Sequence, residues 1–501
     1  MKKSKAIFLG CLLFATGISQ VSAKEWRVGH GTGYSLSDIE FTLKSQIKPG
    51  DVVLIAAGTY DLELGESSLV LQGFNGSADK PIVFKGEFES ATPILKEGVN
   101  INNSHHIALH NLNIIRNTRR DVAAVVVQGG SSYVRLAHLN VHDSHIGVSF
   151  SDPAKGNSIR YSHLFRNDYY GIASNISSGA KANNKPSGES DASVIEYNQV
   201  EENGSHGIDL ESSYWRVRNN RVVNNGHAYG GTSGIHLFTA KDRSRDDPGC
   251  GRNEIIYNYV SGQKDSKLFD GNGIQIDHYC DDNLVAHNVV KNNDGAGIAL
   301  FIGRNNTIVS NTVYHNAVDK SRITRGGGAE RGEIILSSQA YECIHTDGKC
   351  TQEELIPVAA NRSSDNKIYD NIAVSAQADV PAIYVTEDFK NPARNTNHLY
   401  VNWYRNDAEG APLRWGYEST WDIDGKTVSG NVLAPVTFKD TTLDDAAGFQ
   451  LLKFAPNDNF GWAPEQRRPD MGQRFPLVDG QGKTSYWGAY YLCSIDACAS
   501  N

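Results

Sequence analysis

The chain has 501 residues with 57 Asp or Glu against 48 Lys or Arg, a net charge of -9. That balance argues against nucleic acid as a partner, although a few clustered Arg and Lys can still grip an acidic polymer. Gly at 48 and Pro at only 15 suit many tight turns between short strands.

Lys2, Lys3 and Lys5 precede an apolar run from Ala6 to Ile18, and Val21-Ser22-Ala23 supplies the small residues of a cleavage site. Residues 1–23 therefore read as a secretory signal peptide cut after Ala23, which predicts a secreted or periplasmic protein. Phe8-Leu9-Gly10-Cys11 offers a competing lipoprotein pattern, but the apolar run continues past Cys11. No later stretch approaches the apolar length of a membrane span. Residues 24–395 are expected to form one repetitive domain, and 396–501 its C-terminal coils and cap.

Leu36, Ile39, Leu43 and Ile47 stand at helical spacing, with Ser35 or Ser37 as N-cap, and predict a short amphipathic helix. Such a helix would cover the open end of a repeat array, which needs a cap. Asp51-Val52-Val53-Leu54-Ile55 and Ile82-Val83-Phe84 read as the first strands. From His106 onward, coils follow one another. Asn111, His138, His163, Asn198, Asn220, Asn258, Asn288, Asn311 and Asn371 are expected at one equivalent place in successive coils. There an amide can bond its own turn and the next coil, building a ladder with its polar groups satisfied.

A second phrase recurs with the first. It reads Gly207-Ile208-Asp209-Leu210-Glu211, Gly234-Ile235-His236-Leu237-Phe238, Gly273-Ile274-Gln275-Ile276-Asp277 and Gly297-Ile298-Ala299-Leu300-Phe301. Repetition at this scale, with period-2 strands and no helical period, predicts an all-β solenoid, a right-handed parallel β-helix. The longer excursions run from Asn175 to Ser193, Thr239 to Arg252, Ser261 to Gly271, Ala317 to Gly332 and Gln339 to Ser364. Insertions gathered on one face of a repeat protein usually build its binding site. These carry Lys241, Arg243, Arg245, Lys264, Lys267, Lys320, Arg322 and Arg325; solvated loops are the bland alternative.

Six cysteines remain beyond Cys11, so disulfides are expected in an exported chain. Cys343 with Cys350 and Cys493 with Cys498 would close local loops, and a Cys250–Cys280 pair would tie two insertions together, but six cysteines allow fifteen connectivities and the sequence does not choose among them. Metal binding competes, but no CxxC pair exists. Past Asn371 the pattern loosens, and Trp403, Trp415, Trp421 and Phe460-Gly461-Trp462 suggest an aromatic segment packed on the last coils. Gly488-Ala489-Tyr490 follows the way many secreted β-helix proteins end.

On each Gly-Ile strand the Ile and the Leu two residues on should face inward, and their neighbours outward. Stacked coils then give an outer cluster of Asp209, Glu211, His236, Gln275 and Asp277, followed by His278 and Tyr279. Asp209 would lie roughly 5 Å from His236 and roughly 10 Å from Asp277. Stacked like charges cost stability unless a cation, proton or substrate offsets them, which makes this the candidate active site. His236, Asp277, His278 and Tyr279 are the expected catalytic groups. Gln275, Arg304, Lys241, Arg243 and Arg245 are the expected substrate contacts.

The chain resembles secreted right-handed β-helix proteins, a group dominated by enzymes acting on acidic polysaccharides. His206-Gly207-Ile208-Asp209-Leu210-Glu211 is similar to the Asp-Gly-Phe-Asp-Leu strand of family 9 pectate lyases, whose aspartates bind calcium. Their next coil carries Gly-Phe-Lys-Leu with a catalytic Lys, and Gly234-Ile235-His236-Leu237 stands in its place. The resemblance implies His236 as base and Asp209, with Glu211, as ligands of a Ca2+ ion. The family's paired aspartates before the glycine are Ser205 and His206 here, so only Asp209 carries over. The same strand resembles the Gly-Phe-Asp-Pro-His motif of mannuronan C5-epimerases, with Glu211 where the His falls.

Both families abstract the C5 proton of a uronic acid whose carboxylate has been neutralised. A His of near-neutral pKa suits that step, and Arg, Lys or a cation suits the neutralisation. A monomeric polysaccharide lyase acting on a uronate polymer such as alginate or pectate is therefore expected. A C5-epimerase is one alternative. An inverting hydrolase using Asp209 and Glu211, roughly 7 Å apart along one strand, is another, and a non-catalytic carbohydrate-binding protein is a third.

Overall fold

The computed structural model describes residues 23–61, 68–116, 122–176, 184–239, 249–267, 270–319, 331–338, 363–385, 397–400 and 402–408, with shorter pieces at 341–343, 355–357, 413–415, 428–429, 432–433, 437–438, 441–442 and 451–453. Two long sheets dominate them. One has 12 strands, from Leu69–Gln72 to Leu413–Trp415, each contributed by a successive coil. The other has 25 strands, because most coils add two to it on either side of a bend, such as Ser193–Glu196 and Gln199–Glu201. Pairing between coils is parallel: Ile195 meets Val217, and Ile208 meets Ile235. The chain is a parallel β-helix.

The inside of the solenoid follows from the period-2 pattern. Ile208, Leu210, Ile235, Leu237, Ile274, Ile276, Ile298 and Leu300 are fully buried in one continuous core with Val217, Val222, Ile255 and Val260. The repeated glycine has a steric cause. A Cβ on Gly207 would lie 2.6 Å from Val222 Cγ1 and 2.9 Å from Asn225 Nδ2, so Gly207 also faces inward at a corner too tight for a side chain.

At the bend of the larger sheet stands an amide ladder. Asn198 Nδ2 donates to Asn220 Oδ1, Asn220 to Asn258, Asn258 to Asn288, Asn288 to Asn311 and Asn311 to Asn371, all at 3.0 Å. Asn371 continues it to Asn402. Three expected members fall elsewhere. Asn111 and His138 lie one residue before the ladder, in left-handed backbone at φ 58° and 53°. His163 lies one residue after it and faces Glu201 at 2.8 Å. In these early coils Leu112, Leu139 and Ser162 take the ladder place; the strands Ile107–Ile114 and Arg135–His142 run through the bend unbroken, and the next coil breaks there into Ser158–Arg160 and His163–Phe165. Two further ladders flank the first. One runs from Asn167 through Asn203, Asn225, Gln263, Asn293 and Asn316 to Glu333, and the other from Asn253 through Asn283, Asn306 and Asn366 to Asn397.

At the N-terminal end, Leu36, Ile39, Leu43 and Ile47 are buried as their spacing requires. The segment is not the regular helix expected, however, but a five-residue π-helical turn, Ile39–Leu43, against the strand Leu69–Gln72. Its N-cap residue is Asp38, whose carboxylate accepts from the Ser35 amide. Cys250 and Cys280 form a disulfide. Cys350, Cys493 and Cys498 and the Cys343 side chain lie outside the described residues, as does the signal segment through residue 22. Among the described residues no helix is long and apolar enough to cross a membrane.

Candidate active site

The outer face of the 12-stranded sheet is organised as columns, one residue per coil. Register pairs Ala173, Asp209, His236, Gln275 and Ala299 in one column. A second column, two residues further along each strand, carries Glu211, Phe238, Asp277 and Phe301. A third, just before each glycine, carries Tyr170, His206, Ser233, Asn272 and Ala296. Ionisable side chains gather in these columns on the coils of Gly207, Gly234 and Gly273. Beyond them Ala296, Ala299, Ile335 and Tyr384 form a separate buried apolar cluster.

The expected cluster is assembled, but it is buried rather than open: Asp209, His236 and His206 are 4%, 7% and 5% exposed. Asp209 Oδ1 lies 2.8 Å from His236 Nδ1. Asp277 Oδ2 lies 3.6 Å from His236 Nε2, an ion-pair distance too long for a hydrogen bond. The other oxygen of Asp277 accepts from the His278 amide at 2.7 Å and lies 2.6 Å from His278 Nδ1. Gln275 belongs to the same network. Its Oε1 accepts from Ser233 Oγ at 2.6 Å and Asn272 Nδ2 at 3.0 Å, and its Nε2 donates to Asp277 at 3.3 Å. Gln275 thus holds Asp277 in place.

His206 joins this group without having been expected there. Its ring stacks on His236 with centroids 4.1 Å apart and planes 9° apart, and its Nδ1 accepts from the Ser233 amide at 2.9 Å. Strict alternation from Ile208 turns His206 inward; the inward-facing Gly207 breaks that alternation and turns it outward. The usable sequence signal was the glycine itself. Tyr170 stacks on His206 at 5.3 Å, and Phe238 and Phe301 lie edge-on to His278 at 5.7 and 5.0 Å. Aromatic rings thus frame the polar cluster.

Burial and pairing set the two imidazoles apart. Burial lowers the pKa of His236, but its hydrogen bond to Asp209 and its ion pairing with Asp277 outweigh this and push it up to about 10. Burial, with the adjacent His236 charge, pushes His206 down to about 3. Burial raises Asp277, and the pairing with His236 and His278 overrides it, holding the carboxyl below its usual range. Burial, then the charge of Asp209, raises the Tyr170 hydroxyl far above its usual value. At neutral pH a charged imidazolium lies against a neutral imidazole, between two carboxylates.

Tyr279 sits at the strand's end in left-handed backbone, φ 61°, with its ring edge-on to His278 at 6.3 Å. Arg304 is half-buried in a turn, its amide donating to Asp281 at 2.8 Å. Glu211 is half-buried beside Asp209. Lys241, Arg243, Arg245, Lys320, Arg322 and Arg325 lie outside the described residues. Lys264 is exposed and paired with Asp294 at 2.9 Å.

The residues were tested against calcium. Ca2+ takes six to eight oxygens. Among the described residues the one group of converging ligand atoms is His206, Asp209 and His236, two nitrogens and one carboxylate. Glu211 is not part of it, Asp209 is engaged by His236, and His206 Nδ1 already accepts a hydrogen bond. These residues do not fit calcium.

No protein-family model matches the chain, and no curated protein is significantly similar to it. Solved structures do align. The A-module of Azotobacter vinelandii mannuronan C-5 epimerase AlgE4 superposes with a TM-score of 0.50 at 14% identity, over 80% of this chain and 94% of that one. The AlgE6 A-module from the same organism gives 0.50 at 12%, over 80% and 94%. A variant of the PL6 family alginate lyase AlyGC gives 0.50 at 12%, over 86% of this chain and 55% of that one. At such identities the likeness establishes the shared parallel β-helix.

Proposed function

We propose that the chain is a polysaccharide lyase that cleaves a uronate polymer by β-elimination after abstraction of the C5 proton. The observation that carries this reading is the buried Asp209–His236–Asp277–His278 array on the outer face of three adjacent coils. The fold likeness to a mannuronan epimerase and an alginate lyase favours alginate as the polymer. Secretion after cleavage at Ala23 fits a polymer met outside the cell.

The roles follow from protonation. An imidazolium accepts no proton, so His236 acts as the cation. Its Nε2–H, 3.6 Å from Asp277, can turn to the uronate carboxylate and stabilise the charge that develops there. His278 is then the base: with a proton on the Nδ1 that faces Asp277, its Nε2 offers a lone pair to the C5 hydrogen. The C5–H electron pair forms the C4=C5 bond, the C4–O bond breaks, and the leaving oxygen takes a proton from Tyr279. No step runs through calcium. Proton return to the opposite face of C5 would give epimerisation instead. Hydrolysis by Asp209 and Glu211 is disfavoured because Asp209 is engaged by His236 Nδ1 at 2.8 Å.

The test incubates the purified protein with alginate, pectate and a neutral glucan, following ultraviolet absorbance and chain length together. Rising absorbance with shortening chains is expected for alginate. Reducing ends without absorbance would mean a hydrolase, and an altered uronate ratio at constant length an epimerase. The pH profile tests the roles. With His236 as cation, activity is lost as pH rises through about 10; with His236 as base, activity would climb toward that pH.

A further inference from the structure

A second charged site lies on another wall of the solenoid, away from the Gly-Ile strands. Tyr133, Arg135, Ser158, Arg160, Arg216 and Arg218 line a cleft of about 420 Å³ on the outer face of the larger sheet. Register fixes its shape. Arg135, Ser158, Val194 and Arg216 form one column, and Arg160, Glu196 and Arg218 the next. The arginines of each column are therefore about 14 Å and about 10 Å apart along the solenoid axis.

The cleft is a built feature. Glu196, only 5% exposed, stands between Arg160 and Arg218 in their column and pairs with both, its carboxylate 2.7 Å from Arg160 Nε. Arg216 is held by Glu254 at 3.1 Å. The insertion before Ser193 forms the side wall, pinned where Asp191 receives the Tyr133 hydroxyl at 3.0 Å and Lys155 Nζ at 3.1 Å. Gly156, at φ +75°, lets the Tyr133 ring approach to where a Cβ would be 2.3 Å away. Among the described residues no carboxylate lies at ion-pair distance from the exposed Arg135. Four arginines against Glu196 and Glu254 leave a local excess of positive charge on a protein of net charge -9.

We infer that this cleft is a secondary, non-catalytic binding site for a carboxylate-bearing polysaccharide, holding the polymer along the coil axis while the array on the other wall acts on it. The inference deepens the lyase reading and rests on its choice of an acidic polymer. Successive coils are spaced like successive pyranose units, so carboxylates two or three units apart along one chain can meet arginines two or three coils apart. Forked N–H donors suit carboxylates, and the hydroxyls of Ser158 and Ser190 can serve the sugar's own. Nucleic acid suits the cleft less well: one face of the Tyr133 ring, its aromatic lining, is already stacked on His106 at 4.3 Å.

The experiment is affinity electrophoresis through a gel containing polyguluronate, with excess uronate trisaccharide to fill the catalytic site. Wild type is expected to be retarded, and Arg135→Glu/Arg216→Gln to bind roughly tenfold more weakly. The trisaccharide should be turned over equally by both, while KM for long polymer rises in the variant at unchanged kcat. Arg135→Glu alone, altering an exposed side chain, carries the test if the double variant fails to fold. No retardation of wild type, equal retardation of variant and wild type, or equal binding to a neutral dextran or duplex DNA overturns the inference. If the polymer is bound through Arg135 yet nothing is turned over, the cleft stands and the lyase reading falls. If both proteins turn over polymer identically, the reverse holds.

Discussion

The coils around Asn220 and His236 carry two buried polar stacks, the amide ladder at the bend and the imidazole–carboxylate array on the outer face. The ladder repeats one neutral solution: each side-chain N–H finds the next carbonyl, and its members sit near 0–2% exposure without a resolved charge. The array occupies three coils, does not repeat, and holds charges whose pKa values are driven in opposite directions. Repetition marks what the solenoid needs in order to stack. Interrupted repetition marks where stability has been given over to something else.

The sharpest way to break this comparison is to exchange one group in each stack. His236→Gln keeps a donor toward Asp209 but removes the cation. Turnover is expected to fall about a thousandfold, with the β-sheet circular dichroism unchanged; a near-normal rate would remove His236 from the chemistry. Asn258→Ala should do the opposite. Asn258 receives Asn220 and donates to Val217 O, Ile256 O and Asn288 Oδ1. Its loss strands several buried groups at ~1–3 kcal/mol each, so stability should fall by about 3 kcal/mol in denaturant titration. The rate of the surviving folded fraction should be preserved.

Titration sharpens the contrast further. His206, depressed to about 3, contributes stability that is present above its unfolded value of 6.5 and lost as pH falls toward 3. His236, raised to about 10, contributes stability that is full below 6.5 and lost as pH rises through 10. The array alone therefore sets a stability maximum near 6.5. The flanking ladder that starts at Asn167 has one titrating member. Glu333 closes it by accepting from Asn316, and burial, outweighing those bonds, raises its carboxyl to about 8. Its contribution is complete below its ordinary value of 4.5 and is lost as pH climbs through 8. Glu333→Gln is expected to raise Tm at pH 9 by a few degrees and leave it unchanged at pH 4, as scanning calorimetry would show.

The inward Ile and Leu pattern, the recurrent glycine and the meeting of Asp209 with His236 were legible in the sequence, because period-2 alternation and coil stacking dictate them. His206 was not, since one inward glycine shifts the alternation by a residue. Asn111 and His138 were misplaced because residue type alone does not reveal that their strands cross the bend unbroken, and His163 because the neighbouring Ser162 takes the ladder place. The spacing of Leu36, Ile39, Leu43 and Ile47 is met by a π-helical turn as readily as by a helix, because both bring these side chains to one side. That the array is closed over also escaped the sequence, which reports which way a side chain points but not what lies on top of it.

The smallest expected effect concerns the carboxylate that the resemblance to pectate lyases assigned to calcium. Asp209 spends an oxygen on His236 Nδ1 at 2.8 Å, and that bond helps keep the imidazole charged. A divalent ion at Asp209 would compete with the proton for the same oxygen and lower the pKa of His236 by repulsion. With its charge already offset by the imidazolium, the carboxylate has little call for a second cation. Turnover in excess EDTA should therefore stay within about twofold of the untreated rate, since among the described residues the ligand atoms that converge at Asp209 are two imidazole nitrogens and not an oxygen cage. A loss restored by Ca2+ would show that the ion, and not the proton, balances Asp209, and would reopen the assignment of His236 as the charged partner.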